Sequence, residues 1–152
     1  MESTMTNKCS LPVNSDRYQF STDNCFDYKR IIHVYETDKD GVMHFSNYFR
    51  VAEEALYSRL RKLNFSFENT EYSMAMINAC AEYIHPIKFA EQIRIVIADI
   101  KVSRVKILFV MDFLNTEQMN LAKIQLTFVL IEPENRKAIP VPEQLKSSLT
   151  RI

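Results

Sequence analysis

The spacing of apolar residues changes its period once along this chain, within residues 26–63. From residue 26 to 35, Tyr28, Ile32 and Val34 alternate with polar residues, which is typical of a half-buried strand. Further on, apolar residues recur every three or four positions, the spacing of one helical face. These are Tyr48, Val51, Ala52, Ala55, Leu56, Leu60 and Leu63. The pattern predicts a strand, a short charged turn and a long amphipathic helix that begins near Ser46 or Asn47.

The second half of the chain has the pattern of a sheet. Four segments rich in Ile, Val, Phe and Leu, with charged residues interspersed, predict strands at 74–83, 92–102, 104–114 and 121–131. Because they follow one another closely, we expect antiparallel, meander-type pairing, with a short helix at 143–149. The element order predicts an α+β domain in which a five-stranded antiparallel sheet covers one long central helix. The exposed sheet edge predicts homodimerisation by strand pairing.

Composition restricts the class of protein further. Residues 1–25 are polar without a sustained period, which predicts an N-terminal extension followed by one domain at 26–152. No apolar run is long enough to cross a bilayer, and 19 basic against 19 acidic residues do not favour nucleic-acid binding. Cys9, Cys25 and Cys80 are odd in number and widely spaced, which predicts free thiols and a cytoplasmic location. The Ser-, Thr- and Asn-rich first residues leave a transit peptide as an alternative.

The charged turn brings carboxylates next to a helix N-terminus. It reads Glu-Thr-Asp-Lys-Asp-Gly over residues 36–41 and contains the only glycine of the chain. A helix N-terminus presents unpaired N–H groups and a partial positive charge, which can polarise a carbonyl. A carboxylate opposite it can act as a base or a nucleophile. The alternative is that Asp38 and Asp40 only form the turn through their own side-chain hydrogen bonds.

Two sequence blocks resemble a known family. Tyr-Glu-Thr-Asp-Lys-Asp-Gly-Val-Met-His-Phe-Ser-Asn-Tyr at 35–48, followed by Glu53-Glu-Ala55, resembles the signature of 4-hydroxybenzoyl-CoA thioesterase-like proteins, a branch of the hotdog-fold acyl-CoA thioesterases. The block Ala-Glu-Tyr-Ile-His-Pro-Ile-Lys-Phe-Ala-Glu at 81–91 resembles the family's second conserved block. The resemblance extends over about residues 27–145 and implies a hotdog fold.

The resemblance also implies site residues. The acidic residue three positions before the glycine is the family's catalytic carboxylate, which falls on Asp38. The backbone N–H four positions after the glycine polarises the thioester carbonyl, and it falls on Phe45. The chain departs from the family pattern at four positions. These are Phe45 for a frequent Tyr or His, Glu36 for the first Asp of Asp-Thr-Asp, Leu56 for a usual Arg, and Ala90 for a glycine.

Other residues are candidates for substrate binding. His44 could contact substrate or bond to Asp38, or could be structural, and Asn47 could cap the helix, contact substrate or do both. Tyr48 belongs to the motif, and Glu53 matches an acidic helix position to which we assign an orienting role; we expect Glu54 to face solvent. A corner containing Lys101, Ser103 and Arg104 could hold the phosphates of CoA, although such corners are usually solvated turns.

The resemblance implies hydrolysis of an acyl- or aryl-CoA thioester, with Asp38 as base or nucleophile. It also implies a dimer, expected to pair again as a dimer of dimers. The alternatives are a thioesterase acting on acyl carrier protein, a non-catalytic acyl-CoA-binding protein, and a hydratase or dehydratase. The sequence contains no metal-ligand constellation and no nucleotide-binding loop, and we expect that no metal or cofactor is needed.

Overall fold

The central element of the fold is the helix α1, Asn47–Lys62, whose apolar face is buried as predicted. In the computed structural model, which describes residues 27–63, 65 and 71–150, this face packs against the sheet. Ser46 occupies the N-cap position, but its side chain makes no capping hydrogen bond. A shorter helix, α2, spans Glu143–Thr150. The extension predicted for residues 1–25 lies outside the described residues.

The sheet contains the five predicted strands and a short sixth. Their bounds are β1 Asp27–Ile31, β2 Ser73–Tyr83, β3 Gln92–Val102, β4 Lys106–Leu114, β5 Asn120–Ile131 and β6 Ala138–Ile139. All pairs are antiparallel, and the strand order is β1-β3-β4-β5-β2, with β6 beside the end of β5. The fold is thus the predicted α+β hotdog arrangement.

The meander prediction is right for β3 to β5 and wrong for β2. Strand β2 pairs with β5, from Ser73 opposite Ile131 to Tyr83 opposite Ala122, so it forms an edge of the sheet. The connection between β2 and β3 is not a hairpin, since the two strands are not neighbours in the sheet, and it bonds to the charged turn. Its Ile87 carbonyl accepts the Met43 N–H at 2.7 Å.

The first strand is shorter than predicted. It ends at Ile31, and Val34–Glu36 form a 3-10 helix instead of continuing the strand to residue 35. The Glu36 carboxylate accepts the His33 N–H at 2.9 Å, which turns the chain at this point. Ile31 is exposed while Ile32 is fully buried, because neighbouring residues of an extended chain point to opposite faces.

Four described residues have a left-handed backbone, namely Gly41, Ala90, Gln118 and Arg136, and two of them lie in the blocks of the resemblance. Gly41 has φ of +74° in the charged turn. Ala90 has φ of +64° and occupies the position at which the resembled family carries glycine. Since a Cβ is disfavoured at positive φ, the departure at Ala90 is a source of local strain and not a change in the chemistry of the site.

The cysteines differ from expectation. Cys80, on β2, is disulfide-bonded, so the prediction of free thiols is wrong for this residue. Cys9 and Cys25 lie outside the described residues. Because Cys80 is not a free thiol, the cysteines do not support a cytoplasmic location, and that location stays a prediction. Within the described ranges, no helix is long and apolar enough to span a membrane.

Candidate active site

Asp38 closes the charged turn. Its Oδ1 accepts the N–H groups of Asp40 at 2.8 Å and Val42 at 3.4 Å. The Asp38 N–H donates to the Val42 carbonyl at 2.8 Å, and the Asp38 carbonyl accepts the Gly41 N–H at 3.1 Å. Asp38 therefore does form the turn through its own side-chain hydrogen bonds, as the alternative interpretation predicted. It involves one carboxylate oxygen, and among the described residues no hydrogen bond to the other oxygen, Oδ2, is found. The same side chain can stabilise the turn and present an oxygen to a ligand.

Phe45 lies two residues before α1 begins. No acceptor for its backbone N–H is found in the part of the chain that the structure describes, as expected just before the first helical turn. The Phe45 carbonyl accepts the hydroxyl of Tyr83 at 3.1 Å. Its side chain is 64% exposed. Phe45 therefore offers a backbone donor and a solvent-accessible ring at one place.

These two residues line one pocket. Its volume is about 570 Å³, within the range of small-molecule sites. The polar and aromatic residues in its wall are Asp38, Lys39, Asp40, His44, Phe45, Tyr48, Tyr83 and His85. The charged turn, the start of α1 and the end of β2 each contribute a wall, so the pocket exists only in the folded chain.

Aromatic rings form the inner wall of this pocket. Tyr48 is buried, with its ring edge-on to Tyr83 at 4.8 Å between centroids and stacked on Phe113 at 5.8 Å. Burial raises the pKa of the Tyr48 hydroxyl, and a backbone hydrogen bond with Ile87 offsets only part of this effect. Burial also raises the pKa of Tyr83. Both hydroxyls are therefore neutral near pH 7 and able to donate hydrogen bonds.

His44 and Asn47 fix the backbone around Phe45. The His44 N–H and the Asn47 side-chain Nδ2 both donate to the Glu36 carbonyl, at 2.9 Å and 2.8 Å. Nδ1 of the His44 ring lies 2.8 Å from the Ser46 hydroxyl, so the possible bond to Asp38 is not formed. Asn47 is the first helical residue and not the cap. Both remain candidates for substrate contact, His44 directly from the pocket wall.

The remaining predicted site residues lie elsewhere. Glu53 is hydrogen-bonded to Tyr57 one turn further along α1 and does not line this pocket. Lys101 is 3.7 Å from Asp99, and the Ser103 hydroxyl accepts the Lys106 N–H at 3.0 Å. With Arg104, these residues form the β3–β4 corner.

The β3–β4 corner lies at the far end of the sheet from the pocket. Lys106 begins β4, and Phe113, behind Tyr48, is seven residues further along the strand. At about 3.3 Å per residue this separation is roughly 23 Å. Within one subunit, the corner and the Asp38 pocket are therefore not brought together.

Sequence reasoning missed several residues of the site. Tyr83 and His85 belong to the second block of the resemblance, but neither was among the predicted site residues. Glu36 was noted only as a departure, yet its carboxylate is fully buried and bonds to Arg30 and Arg50. No local pattern indicates this cluster, since its members come from a strand, a 3-10 helix and a long helix. Glu54, expected to face solvent, is half-exposed and pairs with Arg30 at 2.5 Å.

Sequence and structure comparisons agree with the motif. A family model described as "Thioesterase-like superfamily" matches residues 32–149. An Aquifex aeolicus protein named as an esterase is 28% identical over 123 residues, covering 79% of this chain and 94% of that protein. A Thermosynechococcus vestitus protein named 1,4-dihydroxy-2-naphthoyl-CoA hydrolase is 23% identical over 127 residues, covering 81% and 87%.

Among solved structures, a 1,4-dihydroxy-2-naphthoyl-CoA thioesterase from Synechocystis superposes with a TM-score of 0.77 at 21% identity. The match covers 85% of this chain and 98% of that one, which shows a shared fold. The family model spans most of the chain, including the charged turn, α1 and all six strands except β1. The chain therefore belongs to the thioesterase-like superfamily, the hotdog-fold class of thioester hydrolases that its motif predicts.

Proposed function

We propose that this protein hydrolyses aryl-CoA thioesters in the pocket between the charged turn, the start of α1 and the end of β2. The observation that carries the proposal is that one pocket is lined by both Asp38 and Phe45, and that the Phe45 N–H has no acceptor among the described residues. Acyl transfer requires this pair of groups, a base or nucleophile beside a donor for the developing oxyanion.

The reaction has two possible first steps, and both use the same groups. Asp38 either removes a proton from water, whose oxygen attacks the carbonyl carbon, or attacks that carbon itself to form a mixed anhydride that water then hydrolyses. In each route the carbonyl oxygen becomes negative and is stabilised by the Phe45 N–H and the helix N-terminus. The carbon–sulfur bond breaks, and CoA leaves as a thiolate that takes up a proton.

The preference for an aryl group follows from the wall of the pocket. Tyr48, Tyr83 and Phe45 present aromatic rings, which pack well against a planar acyl group, edge-on or offset. The neutral Tyr48 hydroxyl can donate to a polar substituent on such a ring, whereas the Tyr83 hydroxyl already donates to the Phe45 carbonyl. The names of the hydroxynaphthoyl-CoA relatives are consistent with this substrate class.

The test is thiol release from a panel of CoA thioesters with short, medium, long, benzoyl and hydroxynaphthoyl acyl groups. We expect the aryl thioesters to give the highest kcat/KM, because the pocket wall favours planar groups. Tight binding of acyl-CoA with no thiol release from any member would contradict the proposal and favour the non-catalytic binding protein. Release only from acyl carrier protein thioesters would support the carrier-protein alternative.

We further propose a homodimer paired along β2, assembled into a dimer of dimers. Strand β2 is eleven residues long, has its outer edge unpaired among the described strands, and exposes Met76 and Ile77. An exposed apolar edge of this length is usually covered by another chain. In such an assembly, Lys101, Ser103 and Arg104 would serve the CoA phosphates of a neighbouring subunit's site.

Ile77→Lys is expected to convert the dimer to a monomer, because a charge on an edge strand opposes edge-to-edge pairing. Light scattering coupled to size-exclusion chromatography measures the mass directly. The matched control is Ile31→Lys, since Ile31 is equally exposed, at 53% against 50%, but lies on β1 at the other edge. A dimeric Ile77→Lys protein, or a monomeric wild type, would exclude this interface.

A further inference from the structure

Glu36 is a fully buried carboxylate to which the proposed reaction assigns no chemical step. Its relative exposure is 0%. Each of its two oxygens accepts a hydrogen bond from Arg30 Nη2 at 2.6 Å. Arg50 donates to Oε1, and the His33 N–H donates to Oε2 at 2.9 Å. The carboxylate is therefore surrounded by donors from β1, from the residue that precedes the 3-10 helix and from α1.

Retaining such a charge needs an explanation beyond stability. Replacing a buried ion pair by apolar residues of similar volume is often neutral or stabilising, so ion pairs of this kind add little net stability. Arg50 lies in the first turn of α1, where a cation opposes the helix dipole. The buried ion pair and the position of Arg50 are both explained if the cluster of Glu36, Arg30 and Arg50 fixes the positions of neighbouring backbone groups.

The backbone of Glu36 indicates which geometry this is. Its carbonyl accepts the His44 N–H at 2.9 Å and the Asn47 side chain at 2.8 Å. These two residues flank the Phe45–Ser46 step on either side. The position of the Phe45 N–H is thereby tied to Glu36, although Phe45 itself does not touch it.

The position of Asp38 also depends on Glu36, through the chain that joins them. It follows Glu36 by two positions, and Thr37 between them forms a bridge with Met43. The Asp38 N–H bonds to the Val42 carbonyl at 2.8 Å, which closes the turn on this bridge. A shift of Glu36 would therefore move the carboxylate and the oxyanion donor relative to each other.

We propose that Glu36, held by Arg30 and Arg50, is a positioning residue that fixes the distance between the Asp38 carboxylate and the Phe45 N–H. The inference rests on the proposed thioesterase reaction and adds a group that never touches substrate. The longer side chain of glutamate, where the resembled family has Asp, reaches both arginines.

The experiment compares Glu36→Gln with Asp112→Asn in the full-length protein. Asp112 is the matched control because it is the other buried acid among the described residues, 4% exposed, and it lies on β4 beside Lys123. Two kinds of measurement are made well below the melting temperature of each variant. These are kcat and KM for an aryl-CoA, and amide hydrogen exchange of the peptide covering residues 37–47.

We expect Glu36→Gln to lower kcat by about 10- to 100-fold, because small misplacements of reacting groups have effects of this size. KM should change by less than about 3-fold, since ground-state binding does not depend on the alignment. Residues 37–47 should exchange faster in Glu36→Gln and at the wild-type rate in Asp112→Asn, whose kcat stays within about 2-fold.

A second variant keeps the test valid if Glu36→Gln does not fold. Arg50→Gln removes a half-exposed partner and leaves the Arg30–Glu36 pair intact, so we expect a smaller loss of kcat, about 3- to 10-fold. A folded Glu36→Gln or Arg50→Gln protein with wild-type kcat and exchange would overturn the proposal. An equal loss of kcat in Asp112→Asn would also overturn it, by showing that removing a buried charge outside the charged turn has the same effect.

Failure of the proposed function gives a different result. If the wild type releases thiol from no thioester, the reaction is wrong, and hydrogen exchange alone then decides the positioning role. Faster exchange of residues 37–47 in Glu36→Gln but not in Asp112→Asn supports it, and unchanged exchange overturns it.

Discussion

Asp38→Asn is expected to lower kcat by about two to four orders of magnitude, the contribution of a positioned general base. A nucleophilic aspartate would lose at least as much. The fold should be retained, because an asparagine Oδ1 can still accept the backbone N–H groups of Asp40 and Val42 that close the turn. The substitution therefore removes the charge and the basic oxygen and leaves the local structure in place.

The measurement is steady-state hydrolysis of an aryl-CoA by variants whose thermal unfolding matches that of the wild type. Asp40→Asn is the control, since Asp40 belongs to the same turn but its carboxylate is exposed and pairs with Lys39 at 2.9 Å. We expect Asp40→Asn to stay within about 3-fold of wild type. A folded Asp38→Asn protein with normal turnover would show that Asp38 only forms the turn.

Glu36→Gln is expected to lower the free energy of unfolding at pH 7 by about 3–5 kcal/mol, the usual result of removing one partner from a buried ion pair. Arg30 would lose the carboxylate that balances its charge, and its side chain is 11% exposed. Glu54, which also binds Arg30, compensates only in part because it is 46% exposed. Denaturant unfolding of the full chain measures this difference.

The pH dependence of this loss has a defined sign. Burial alone would raise the pKa of Glu36, but the His33 N–H, Arg30 and Arg50 outweigh burial, and the pKa lies below its ordinary value of 4.5. The stabilisation is therefore fully present above about pH 4.5 and is lost as the pH falls through the lowered pKa. The difference in stability between wild type and Glu36→Gln should be constant near neutrality and shrink in acid.

Asp112→Asn is a control for this pH dependence, because the pKa of Asp112 is shifted in the opposite direction from that of Glu36. Burial raises the pKa of Asp112 above its ordinary value of 3.8, and Lys123 and Asn120 offset only part of this rise. Ionised Asp112 therefore disfavours the folded state, and its contribution worsens as the pH rises through the raised pKa. The asparagine variant should be as stable as wild type or more stable at pH 7. An equal loss in the two variants would contradict the assignment of their environments.

The local elements, and the two residues that we propose for the reaction, could be identified from the sequence. The helical face of α1 follows from three- and four-residue spacing, and the four long strands follow from their composition; both are properties of short segments. Asp38 and Phe45 could be located because the motif around the only glycine is continuous in the chain. Hydrogen bonds within a turn and at a helix N-terminus depend on neighbours in sequence, so a sequence motif can encode them.

Tertiary structure decided the features that depend on residues distant in sequence. Strand β2 pairs with β5, about forty residues further along the chain, and no local pattern encodes a pairing over that separation. The pocket needs Tyr83 from β2 beside Tyr48 from α1, and the buried Glu36 needs Arg30 and Arg50. A buried carboxylate is stable only where donors surround it on several sides, and only the folded chain brings such donors together. The sequence by itself determined the motif that contains Asp38 and Phe45, the proposed carboxylate and oxyanion donor, and the fold determined which distant residues surround that motif.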